Sequence, residues 1–272
     1  MKCLRSSISS AAAGLRSRVA DLPFYLALLA LAWGLKRWYS LAQAQDLMWL
    51  LRPLAALTGW ALGVPFVPEG GVGFVNNELA IMIVPSCAGV NFLIIALLSA
   101  GFTAIGRLPS PVLKAAALAG LLPGAYGLTL IANSLRILLS IHLYEADIYA
   151  GWITPERVHR LAGVVLYLGC LLLLINGLRR LLPHPTDRGR NPPSEGNMPA
   201  TAGFAWAPLF WYGAFLVGVP LVNGTYRQST ALFTEHCLTI GAAYAVLPVL
   251  MVLLRTALRR KGHAPQSPDR RG

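Results

Sequence analysis

The chain carries apolar runs too long and too poor in charge to fold in water. Ala88 to Gly106 contains no Asp, Glu, Lys or Arg. As a helix rising about 1.5 Å per residue, that run covers roughly 28 Å, close to the thickness of a hydrocarbon core. A helix also satisfies its own backbone N–H and C=O groups, which lipid requires of any crossing segment. Similar runs recur at Leu22–Leu35, Leu47–Val64, Val112–Ile131, Val158–Leu178, Phe204–Val222 and Leu238–Leu254. The chain is 56% hydrophobic and only 12% charged, whereas a soluble domain has about a quarter of its residues charged. The expected fold is all-α, a polytopic transmembrane helix bundle of about seven spans. A short hairpin-like segment on the non-cytoplasmic side precedes the third. That segment is Pro65 to Pro85, where glycines and alternating residues around Phe74-Val75 and Leu79–Val84 fit two short strands.

The division follows the same pattern: an N-terminal tail at 1–20, a membrane domain at 21–180, a linker at 181–203, two additional helices at 204–256 and a basic tail at 257–272. The tail at 1–20 fits an interfacial helix or a disordered segment, and the linker is rich in Pro, Gly and Arg. The first apolar run lacks a small-residue cleavage site, so it reads as an uncleaved membrane segment.

Net charge is +12, but the basic residues gather in hinges between apolar runs, at Lys36-Arg37, Arg179-Arg180, Arg188–Arg190 and Arg259–Lys261. That distribution encodes membrane orientation, cytoplasmic loops being positive, and it excludes nucleic acid as the partner. Alternating spans place 65–87, 132–159 and 223–237 together on the far side. Seven spans also put Lys2, Arg5, Arg16 and Arg18 there, against the rule; either that end lies at the interface or one early run does not cross.

This topology collects three reactive residues at neighbouring helix ends: Cys87 before the third span, Arg136 late in the fourth and His159 early in the fifth. Packed helices lie about 8–10 Å apart, within reach of long side chains. A thiolate attacks carbonyl carbon, and cations or a helix start favour that form of a thiol. Histidine can take the proton and return it to a leaving amine. Arginine can stabilise the oxyanion. Taken singly, each has a plainer explanation: a small apolar residue, a snorkelling cation, a solvated imidazole.

Pro-Ser-Cys87-Ala-Gly89, then Asn133-Ser-Leu-Arg136, then His159 at the head of a helix resembles the exosortase/archaeosortase family, over about residues 22–180. The resemblance implies a membrane cysteine peptidase/transpeptidase of the prokaryotic inner membrane, with its active face outside the cytoplasm. It implies Cys87, Arg136 and His159 as catalytic residues, Asn133 and Gly89 as support, and no cofactor or metal. Its partners would be exported proteins bearing a C-terminal sorting signal, made of a short motif, a transmembrane helix and a basic tail. Cleavage would pass through a thioester that an acceptor, unidentified by the sequence, resolves.

Three other readings stand beside it. Glu235-His236-Cys237 is a second far-side cluster, although adjacent helical residues do not face one another; a Cys87–Cys237 disulfide is a related possibility. His142, Glu145, Asp147 and His159 carry metal-ligand chemistry. A non-enzymatic transporter or assembly subunit of a cell-envelope system would use Arg136 in an ion path. Cys170, inside an apolar run, and Cys3, in the tail, are expected to be dispensable.

Overall fold

The computed structural model describes residues 2–146, 149–151, 153–182, 210, 212–222, 224, 227 and 229–261. Its helices are α1 (Lys2–Tyr39), α2 (Met48–Leu62), α3 (Val90–Arg107), α4 (Pro111–Glu145), α5 (Pro155–Leu181) and α6 (Thr230–Lys261). A three-stranded antiparallel sheet, β1 (Val67–Glu69), β2 (Gly73–Asn76) and β3 (Ile81–Ile83), lies between α2 and α3. The described residues are mostly helical. The tail expected at 1–20 is continuous with α1 from Lys2 onward. The linker at 183–201 lies outside the described residues, and the run at 204–222 is represented by a π-helical turn, Ala214–Gly218, leading into Val219–Val222.

Among the described residues four helices are long and apolar enough to cross a membrane: Val19–Tyr39 of α1, Pro85–Arg107 around α3, and α4 and α5 in full. Of these α3 is central: 78% of its apolar window is buried, against 11% in α1. Local signals set the boundaries. Ser110 and Thr154 accept hydrogen bonds from Leu113 N and Arg157 N as N-caps, each followed by proline at the first helical position. Arg107 closes α3 and donates from Nη1 to the Arg179 carbonyl at 3.2 Å, near the end of α5.

The helix pairings fix which ends lie together. α1 runs antiparallel to α3: Tyr25 stacks on Phe102 with ring centroids 4.9 Å apart, and Lys36 Nζ donates to Asn91 Oδ1 at 2.8 Å. At the opposite end Asp21 pairs with Lys114 in the first turn of α4. The C-terminus of α1 and the N-terminus of α3 therefore share one end of the bundle, and the chain from 40 to 89 leaves from that end and returns to it. The apolar run at 47–64 does not carry the chain across. It forms α2, 15 residues or about 22 Å long, short of a hydrocarbon core. α2 lies beside the far half of α4, with Trp49 stacked on Tyr126 at 5.5 Å and Thr58 Oγ1 3.2 Å from Ser134 Oγ. This run is not one of the helices long and apolar enough to cross, so the expected count of seven crossings is not met here.

The segment at 65–85 holds one strand more than a hairpin. Buried Asn76 shapes it: its Nδ2 donates to Pro65 O at 2.7 Å and its Oδ1 accepts from Leu79 N at 2.8 Å. α4 is continuous through Asn133 and Arg136 for 35 residues.

Candidate active site

Cys87 is carried by a 3-10 turn, Pro85–Ala88, between β3 and α3. Proline opens the turn after extended Val84, and Cys87 N donates to Val84 O at 2.8 Å. Buried Ile83 and Ala88 anchor it on both sides. Gly89 ends the turn at φ 72° and opens α3. Only glycine takes that conformation without strain. There is a second reason for glycine: a Cβ there would stand 2.0 Å from Asn133 Nδ2. Asn133, 2% exposed, is thereby pressed against the backbone that presents Cys87.

One turn further along α4 is Arg136. Its Nη2 lies 3.0 Å from His159 Nε2 and its Nη1 donates to Tyr167 Oη at 3.3 Å. The guanidinium carbon stands 5.4 Å from the Tyr167 ring centroid, and the tyrosine in turn donates to Asn133 Oδ1. Tyr167 is fixed from α3 by Phe92, stacked at 4.6 Å. Arg136 Nε is buried without a partner and points at Gly163 on α5, where a Cβ would lie 2.7 Å away.

These contacts decide the histidine tautomer. Ser140 Oγ has one proton, and it goes to Arg136 O at 2.7 Å. The same oxygen, 2.7 Å from His159 Nδ1, must accept there, so Nδ1 carries hydrogen. Nε2 then holds the lone pair and accepts from Arg136. Histidine and arginine are locked together, and the basic nitrogen is the one turned to the guanidinium.

Cys87 and His159 line one groove of about 760 Å³ with Ser140, Tyr144 and β3. Arg136 lines an adjoining cavity of about 210 Å³ with Ser86, Gly89 and Tyr167, closed on the far side by Tyr212 and His236. Among the described residues no hydrogen bond reaches the Cys87 thiol. The three residues expected to converge are thus one bonded pair, Arg136 and His159, and a thiol that shares the groove with His159.

The other candidates fall elsewhere. Cys87, Cys170 and Cys237 are all free thiols, so the Cys87–Cys237 disulfide is not formed. Glu235 bridges α6 to α5 through Arg157 Nε at 3.1 Å and Arg160 Nη2 at 3.8 Å, and His236 Nε2 meets the Leu216 carbonyl at 3.1 Å. Both have structural work apart from Cys237. His142 and Glu145 form an exposed pair at 3.6 Å, Asp147 lies outside the described residues, and His159 has both ring nitrogens engaged. Cys170 is half-buried in the core packing.

Sequence reasoning missed Tyr167, Ser140 and Gly163. The signal was helical spacing: 159, 163 and 167 recur at i, i+4, i+8 on α5, and 136 and 140 at i, i+4 on α4, which puts each set on one face.

The family model described as "Transmembrane exosortase (Exosortase_EpsH)" matches residues 7–176, a stretch that holds α1 to all but the last turn of α5 and every residue of the Asn133–Arg136–Ser140–His159–Tyr167 network. Comparison with curated proteins and with solved structures finds no match. The chain belongs to the transmembrane exosortase family.

Proposed function

We propose that the protein is a membrane cysteine transpeptidase that cleaves a C-terminal sorting signal of exported, membrane-anchored proteins through an acyl-enzyme thioester. The observation that carries this reading is the common groove of Cys87 and His159, backed by Arg136 hydrogen-bonded to His159 Nε2. Membership of the exosortase family supports the reaction class.

In the proposed cycle the Cys87 thiol gives its proton to His159 Nε2 as sulfur bonds to the substrate carbonyl carbon. The carbonyl oxygen becomes an oxyanion and draws the Arg136 guanidinium, which releases Nε2 to hold that proton. Collapse restores the C=O, breaks the C–N bond and returns the proton from His159 to the leaving amine. An acceptor nucleophile, or water, then attacks the thioester carbonyl carbon and yields its own proton to His159; collapse breaks the C–S bond, and His159 returns the proton to the Cys87 sulfur, restoring the free thiol. The Nδ1–Ser140 bond keeps the ring in the tautomer this exchange needs.

For sidedness we infer that the end bearing Cys87 faces away from the cytoplasm of a prokaryotic inner membrane. With 40–89 returning to one side, α1, α3, α4 and α5 alternate. The N-terminal tail with Lys2, Arg5, Arg16 and Arg18, the Arg107–Lys114 turn and Arg179-Arg180 then all fall on the cytoplasmic side, as the positive-inside rule asks.

The test is covalent. Wild-type protein incubated with a precursor carrying motif, transmembrane helix and basic tail should accumulate a hydroxylamine-labile adduct on Cys87 and shorten the precursor. Unchanged processing by Cys87→Ala would end the reading.

A further inference from the structure

The groove that holds Cys87 has an unpaired sheet edge as one wall, and the backbone register shows which groups it offers. In the β1–β2 ladder Val67 faces Val75, Pro68 faces Phe74 and Glu69 faces Gly73. Proline has no N–H, so Pro68↔Phe74 is the non-hydrogen-bonded pair, and the backbone groups of Gly73 and Val75 point to β1. Antiparallel pairing alternates. Phe74 and Asn76 therefore point their N–H and C=O to β3, where they face Ile83 and Ile81. Met82, between those two, must turn its N–H and C=O the other way. β3 is the last strand of the sheet, so that direction is the open edge. The next outward position is Val84, and its carbonyl already receives Cys87 N at 2.8 Å. The free groups of Met82 thus lie about 7 Å along the strand from that carbonyl, on the same edge as the nucleophile's turn.

We propose that the sorting motif of the substrate binds in extended form as a fourth strand on β3, with Met82 N–H donating to a substrate carbonyl and Met82 C=O accepting a substrate N–H. The proposal rests on the transpeptidase reading and names how its substrate is held. An unpaired edge recognises any extended backbone, and pockets on alternate sides select side chains. The walls opposite β3 are apolar and aromatic: Ile137, Ile141 and Tyr144 on α4 and Val158 on α5. A peptide paired with Met82 has its side chains alternating between that wall and the outside, and its backbone reaches Cys87 within one or two residues. A peptide rather than a folded domain fits the groove's size of about 760 Å³. A second copy of this chain pairing edge to edge is the competing occupant.

The test is Met82→Pro in the full-length protein. Proline removes the outward N–H while leaving the bonds of Ile81 and Ile83 to β2, and proline is tolerated where an edge N–H faces out. The Met82 side chain is 58% exposed, so Met82→Ala serves as a control for lost packing. Expected is a fall of about tenfold or more in kcat/KM on the precursor for Met82→Pro, the worth of one hydrogen bond. Met82→Ala keeps that N–H and should lose clearly less than Met82→Pro, its loss measuring the side chain's own share, and alkylation of Cys87 by iodoacetamide should match wild type in both. If Met82→Pro fails to fold, a precursor with an ester in place of one motif amide at a time replaces it: one position should lose about tenfold with wild-type enzyme. Wild-type kinetics for Met82→Pro while Cys87→Ala is inactive would overturn strand addition and leave the thiol mechanism standing. Activity in Cys87→Ala would overturn the mechanism instead. A dimer in detergent that Met82→Pro dissociates, with processing unchanged, would assign the edge to a second copy.

Discussion

The seam between α4 and α5 and the turn that carries Cys87 are neighbours, yet they are held in opposite ways. On the seam every reactive group is tied: Arg136 by Tyr167 and His159, His159 by Arg136 and Ser140, Tyr167 by Asn133 and Phe92. On the turn the backbone is fixed by Gly89, Ile83 and Ala88, while the thiol has no polar partner among the described residues. The difference teaches a division of labour. The Arg136–His159 pair is held in place before any ligand arrives, whereas the Cys87 side chain is positioned by backbone alone; under the proposed cycle, preorganised charge would leave little reorganisation to an oxyanion.

The comparison breaks most completely at the sulfur. Cys87→Ala should abolish precursor shortening, measured by immunoblot, with unchanged thermal stability in detergent. Next come the seam's two active groups. His159→Ala should cost about 10²–10⁴-fold in kcat/KM, the usual share of general acid–base catalysis. Arg136→Lys keeps charge but loses the planar fork that reaches Tyr167 and His159 together, and should fall in the same range. Full activity in Arg136→Lys would reduce the arginine to a point charge.

Gly163→Ala sharpens the contrast, because it separates stability from activity. The methyl must displace Arg136 Nε, 2.7 Å from its position, and misplacement by about 1 Å can cost about a hundredfold in rate. In a helix, alanine is favoured over glycine by up to about 1 kcal/mol, so the melting temperature should hold or rise while kcat falls by about tenfold or more. A parallel loss of both would mean Gly163 matters only for packing. Tyr167→Phe keeps the stack on Phe92 but orphans Asn133 Oδ1 and Arg136 Nη1, and leaving a buried group unpaired costs about 1–3 kcal/mol; its mark should be chiefly on the melting temperature. The smallest effect belongs to Ser140→Ala, which removes the acceptor for His159 Nδ1 together with the hydroxyl's bond to the Arg136 carbonyl. A few-fold loss in kcat with KM unchanged is expected, and Ser140→Thr, which retains the hydroxyl, should restore it.

That Cys87, Arg136 and His159 lie near one end of the bundle was legible because consecutive helices alternate in direction, whatever number of crossings precedes α3. The run at 47–64 shows why. Its hydropathy suggested a crossing, but hydropathy does not report on partners, and α2 buries Leu50, Leu51 and Leu54 against protein. The basic N-terminus had already left open that one early run does not cross. Tyr167 and Gly163 were harder. Their roles depend on how α5 is rotated about its axis, which is set by contacts such as Phe92 rather than by apolar periodicity. The third strand was hidden because strands of three or four residues give alternation little length in which to show.

The return of residues 40–89 to the end they left also sets an order of manufacture. Chains emerge and fold N-terminus first, so the loop bearing Cys87 is delivered to its compartment once α1 and α3 are in place. That loop carries one basic residue, Arg52. Arg136 and His159 are still unmade at that moment. The nascent protein therefore presents the thiol without Arg136 or His159 beside it. The seam is the last part of this end to be assembled, formed only when α4 and α5 are made and Asn133 closes on Gly89.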